Sequence, residues 1–150
     1  MKNIFESKDV NLIIDRLNKI STETKPLWGK MSAGQMLSHC NVIYELTLDK
    51  KYPKPGAIKK FFLKLVVKPM VVGPKPYPKN SRTAPEFRVL DSKEVEPEKE
   101  RLIAYLKKTL SLGPEHFNQL ENPNFGKLSI EEWNVLYYKH LDHHLSQFGV

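Results

Sequence analysis

Apolar residues recur along this chain at spacings of three and four, the period of an α-helix with one buried side. Val10, Ile13, Ile14, Leu17 and Ile20 predict a first helix over about 8–20, ended by Ser21, Thr22 and the Thr24-Lys25-Pro26 stretch. A second is predicted over about 32–49. Ser32 and Gln35 form a capping-box pattern at its start, and Met36, His39, Ile43 and Leu46 share one face. A further helix starts near Glu96-Pro97, carries Leu102, Ile103, Leu106 and Leu110, and meets a stop signal at Gly113-Pro114. The last has the strongest pattern. Ser129 and Glu132 make a second capping box, and Ile130, Trp133, Leu136, Tyr137, Leu141, Leu145 and Phe148 form a stripe. No alternating strand pattern appears, and 122–126 reads as a loop, so the chain is expected to be all-α.

The middle differs. Seven of the eleven prolines lie between Pro53 and Pro85, where they break regular structure. They bracket one helix candidate, about 57–68, with Lys60, Lys64 and Lys68 in a row beside Phe61, Phe62 and Leu65. Pro74, Pro76 and Pro78 then predict an extended strap.

Composition adds bounds. With 150 residues, 40% apolar and 27% charged, the chain is the size and balance of one globular domain, 1–150. No apolar run approaches the roughly 20 residues that cross a bilayer, and the first residues lack the apolar core of a signal peptide. A single cysteine, Cys40, leaves no intramolecular disulfide. These features point to the cytoplasm. The net charge of +7 is uneven: residues 50–88 hold eleven Lys or Arg and one acid, Glu86, leaving a mildly acidic remainder.

The candidate chemistry lies in the histidines. His140 and His144, four apart on a helix, are offset by only about 40° and one turn. Both fall within the apolar stripe, and His39 takes a core position on the second helix. An inward imidazole without a partner is costly. Three inward imidazoles from two helices fit instead a set of nitrogen ligands for a divalent transition metal, with open positions for water or substrate. His143 is turned about 100° from His144 and His116 follows the Gly113-Pro114 stop, so both are expected to be ordinary surface residues. Asp142 is also misdirected. Leu141 stands where a zinc protease would place its glutamate. Gln35 is explained by capping and Cys40 by burial, and no catalytic side chain is assigned.

Trp28 with Met31-Ser32-Ala33-Gly34-Gln35-Met36-Leu37-Ser38-His39 resembles the start of the second helix in the DinB-like superfamily. Asn124-Phe125-Gly126-Lys127-Leu128-Ser129, Glu132-Trp133 and His140-Leu141-Asp142-His143-His144-Leu145-Ser146-Gln147-Phe148 resemble its closing helix. The resemblance implies a four-helix bundle, here with an extra helix and a proline-rich segment, and often a homodimer. It also implies a metal triad, which falls on His39, His140 and His144, with zinc or nickel as the ion. The reactions it implies are transfer of a low-molecular-weight thiol such as bacillithiol, or hydrolysis, on a small-molecule substrate. Nucleic acid and membranes are not expected partners on that reading. The alternative is a non-enzymatic protein whose basic amphipathic middle segment binds a membrane surface or a partner.

Overall fold

The computed structural model describes residues 2–81 and 85–150. In chain order its helices are α1 (Ser7–Leu17), α2 (Ala33–Thr47), α3 (Ala57–Phe62), α4 (Lys68–Val72), α5 (Val95–Gln119) and α6 (Ile130–Gln147). The fold is all-α, and α1, α2, α5 and α6 pack as the bundle. Both capping boxes form. Ser32 Oγ accepts from the Gln35 N–H at 3.2 Å while Gln35 Oε1 accepts from the Ser32 N–H at 3.0 Å. Ser129 and Glu132 repeat this at 3.1 and 2.9 Å. Each box satisfies two backbone donors that a helix start leaves free.

The core runs through the bundle on large side chains, among them Leu17, Met36, Leu102, Leu106, Phe117 and Trp133. Tyr44 of α2 is stacked between Tyr105 of α5 and Tyr137 of α6, with ring centroids 5.2 and 4.7 Å away. Tyr137 is therefore a core residue, and its hydroxyl meets Thr47 Oγ1 at 2.5 Å.

One apolar face is expected for α2, yet every residue of it except Gln35 is buried. The chain after the middle segment crosses its other side. A Cβ on Gly34 would lie 1.9 Å from the Lys93 carbonyl oxygen, so only glycine admits this crossing. Polar residues of α2 are matched to α5. Asn41 donates to the Glu98 carbonyl and carboxylate at 3.0 and 2.9 Å, and buried Glu45 accepts from Arg101 at 2.6 Å.

The middle helix does not stop near 68. It passes from α3 through a π-helical turn, Leu63–Val67, into α4. Pro69 has no N–H, and in a regular α-helix its ring would meet the carbonyl four residues back. The wider π turn leaves room for it. A proline strap follows without regular structure, then a single 3-10 turn, Pro85–Phe87. Arg82 of the basic segment lies outside the described residues. Two lysines pin this assembly to α6. Lys68 pairs with Glu132 at 2.8 Å. Lys139 Nζ donates to the carbonyls of Met70, Gly73 and Lys75 at 2.7, 2.6 and 3.1 Å.

Two further expectations are corrected. Helix α5 does break at Gly113, where φ is +69°, but Pro114 starts another helical stretch to Gln119. His116 sits on that stretch, exposed, and not in a loop. The 122–126 loop is in fact the turn of a short antiparallel hairpin, β1 (Glu121–Asn122) with β2 (Gly126–Lys127). Asn122 Oδ1 accepts from the Asn124 and Phe125 N–H groups at 2.9 and 3.1 Å, and Gly126 takes φ +74°. This is turn chemistry, invisible to an alternation test over two residues. No helix among the described residues is long and apolar enough to cross a membrane.

Candidate metal centre

Helix α2 supplies His39, and successive turns of α6 supply His140 and His144. The three rings meet with centroids 4.6, 4.8 and 4.9 Å apart. All three are buried, and one nitrogen from each lies within 4.8 Å of the others. The bundle packs α2 against α6 through the apolar stripes in which the histidines are embedded, so core packing itself brings the rings together.

Hydrogen bonding sets the proton on two of the rings. His39 Nδ1 lies 2.8 Å from the Phe87 carbonyl oxygen. A carbonyl only accepts, so Nδ1 carries the proton and Nε2 keeps its lone pair. His144 Nδ1 lies 2.9 Å from Gln147 Oε1. The Gln147 amide nitrogen donates to the Trp28 carbonyl at 2.8 Å, which turns the amide oxygen toward His144. Nδ1 of His144 is thus the donor and its Nε2 is free. His140 Nε2 lies 3.0 Å from His39 Nε2, and His140 Nδ1 is buried without a partner among the described residues.

Burial keeps the cluster neutral. Desolvation, then the neighbouring His144, His39 and His143, hold His140 well below an ordinary histidine. Burial lowers His39 despite its bond to Phe87. His144 is pushed down to about 3, first by burial and then by His39, against the opposing bond to Gln147. Neutral imidazole is the form that ligates a metal. The donor set fits a divalent ion: with nitrogen–metal bonds of about 2.0–2.1 Å, two nitrogens 3.0 Å apart subtend roughly 95°. That is a normal angle between neighbouring ligands, and nitrogen donors suit zinc, copper, iron or nickel.

The cluster forms one wall of a cavity of about 730 Å³, roofed by Leu63, Val67 and Val71 of the middle helix. That is within the usual size for a small-molecule site. His143 is not the plain surface residue expected. It is half-buried and lines the cavity, its ring 5.0 Å from His144 and edge-on to Tyr77 and Trp28. The helical phase does turn it off the core stripe, but the proline strap builds a second buried environment there. Asp142 points elsewhere and pairs with Arg16 of α1 at 2.7 Å. Cys40 is buried and donates weakly to Met36 Sδ, its thiol pushed up by desolvation.

Sequence reasoning missed Gln147 and Phe87. Gln147 had a signal, since it lies three residues after His144 on the same helix and can meet its ring. Gly29 belongs with it: φ is +83°, and a Cβ there would lie 2.5 Å from Gln147 Nε2. Phe87 had none, because its backbone carbonyl is what binds and its ring is edge-on to His39.

No curated protein and no solved structure matches the chain. One family model does, over residues 3–149, a span holding both helices of the histidine cluster. The chain therefore belongs to the family described as a protein of unknown function, DUF1569.

Proposed function

We propose that this protein is a metal-dependent enzyme acting on a small molecule, with one divalent transition-metal ion, zinc or nickel, held by His39, His140 and His144. One observation carries this reading: three neutral, buried imidazoles converge on the wall of an apolar cavity, two with Nε2 left unprotonated because their bonds at Nδ1 take the proton. A structural ion normally takes four protein ligands, whereas three leave a position for a reactant. The sequence blocks around Trp28–His39 and His140–Phe148 support placing the chain in the DinB-like superfamily.

When bound, the ion supplies a Lewis acid that lowers the pKa of a water or a thiol, so that a nucleophile exists near neutral pH. The protein's own residues do the rest. Phe87 and Gln147 orient two ligands, and Leu63, Val67 and Val71 give the cavity an apolar wall. The first reaction we assign is transfer of a low-molecular-weight thiol of the bacillithiol type, favoured by the basic 50–88 segment, which attracts an anionic thiol. Hydrolysis is the second.

Elemental analysis of protein purified without a histidine tag tests the foundation. Wild type is expected to carry close to one equivalent of metal. His140→Ala or His144→Ala is expected to lose most of it, whereas His143→Ala and His116→Ala keep it. Metal content equal in wild type and both ligand variants would sink the reading.

A further inference from the structure

The middle helix, 57–72, carries apolar residues on two sides, with Lys60, Lys64 and Lys68 in a row beside them. Its inner residues Leu63, Val67 and Val71 are spent on the cavity roof. Its outer residues stand in solvent: Ile58 is 88% exposed, Phe61 69%, Phe62 61% and Leu65 65%. A helix apolar on both sides is stable when a second apolar phase covers the outer one, and a contiguous exposed patch of this kind marks an interaction surface. The segment is too short to span a bilayer, and no helix among the described residues is long and apolar enough to do so.

Charge decides what covers it. The patch lies within the 50–88 segment, with eleven basic residues and one acid. Lys60 and Lys64 lie on the helix itself, and neither has an ion pair among the described residues. A symmetric contact with a second copy would set this basic surface against itself, like charge on like. An anionic lipid surface offers both things the patch lacks, negative charge at the rim and an apolar phase beneath it.

We propose that the outer face of 57–72 docks on an anionic lipid bilayer. Phe61, Phe62 and Leu65 enter the boundary between headgroups and acyl chains, and Lys60 and Lys64 lie against the lipid phosphates. Lys68, held by Glu132, and Lys139 on the strap carbonyls keep the segment fastened to the bundle while it docks. This inference stands apart from the metal reading, since none of its residues belongs to the histidine cluster.

Co-sedimentation of the full chain with vesicles of phosphatidylcholine, with and without phosphatidylglycerol, tests it. Wild type is expected to bind the anionic vesicles at least about tenfold more tightly than the neutral ones, and less tightly as salt rises. Phe61→Ser/Phe62→Ser is expected to weaken binding at least roughly tenfold, with circular dichroism and metal content unchanged. Lys60→Glu/Lys64→Glu is expected to abolish the preference for anionic vesicles. Three results overturn the proposal. The first is no vesicle binding by wild type. The second is salt-sensitive binding that the phenylalanine variant retains in full, which is electrostatic attraction alone. The third is lipid-free self-association in sedimentation velocity that the phenylalanine variant abolishes, which assigns the face to a second copy.

Discussion

Which nitrogen of a histidine carries the proton decides whether the other can bind a metal, and Gln147 makes that decision for His144. Gln147→Leu keeps the bulk but lets the ring choose either tautomer. We expect metal affinity to fall about 10–100-fold, read by chelator competition, with unchanged helical content. Affinity equal to wild type would remove Gln147 from the site. The same burial that keeps the rings neutral makes the metal-free protein sensitive to acid. An unfolded histidine titrates near 6.5, whereas folded His144 is held to about 3 and His39 and His140 below the ordinary value. Within that window the unfolded chain binds more protons. The stability is therefore complete above about pH 6.5 and is lost as pH falls toward about 3. Thermal melts of metal-stripped protein should show this decline, and His144→Leu should make it shallower. An identical acid branch in both proteins would show that the decline arises elsewhere.

At the scale of elements, the roof of the cavity depends on how the middle helix is tied to α6. Lys139 gathers three carbonyls from the end of α4 and the strap, and its ammonium lies 4.7 Å from the Tyr77 ring centroid. Lys139→Met leaves those carbonyls without their donor. Local opening of 57–75 should become easier by about 1.5–3 kcal/mol, seen as faster amide exchange there, with exchange in α2 and α6 little changed. Uniformly faster exchange would make Lys139 a support of the whole bundle. The crossing of α2 has its own test. In Gly34→Ala the new methyl would lie 1.9 Å from the Lys93 carbonyl oxygen, and backbone must shift. We expect a loss of about 1–3 kcal/mol, a drop in melting temperature that alanine's better helix propensity does not offset.

Over the whole molecule, the histidine cluster joins the second helix to the last, which lie 101 residues apart in sequence at His39 and His140. An ion bound there favours the folded state by mass action, by about 2.7 kcal/mol at a hundredfold excess over its dissociation constant. Chelation should then lower the melting temperature of wild type by roughly 5–10 °C at this chain length. His39→Ala should keep its helical content, because the apolar stripes still supply the core, and should show a much smaller chelator effect. An undiminished effect would leave only the α6 pair as ligands and require a third from elsewhere.

The four long helices, both capping boxes and the three inward histidines were legible along the chain. Each is a local signal: a repeating apolar spacing, a hydroxyl followed three residues later by an amide or carboxylate, a ring placed inside an apolar stripe. Periodicity even selected the correct partners, since stripes that must be buried bring their embedded rings together. The tertiary structure alone decided the rest. Helix α2 is buried on all sides because a distant backbone crosses it at Gly34. His143 faces a cavity because a strap some 60 residues earlier in the chain covers it. His39 is held by a backbone carbonyl at Phe87, 48 residues away. A helix's own pattern states which face avoids water, but a loop that covers the other face carries no period, and its contacts exist only once the chain has folded.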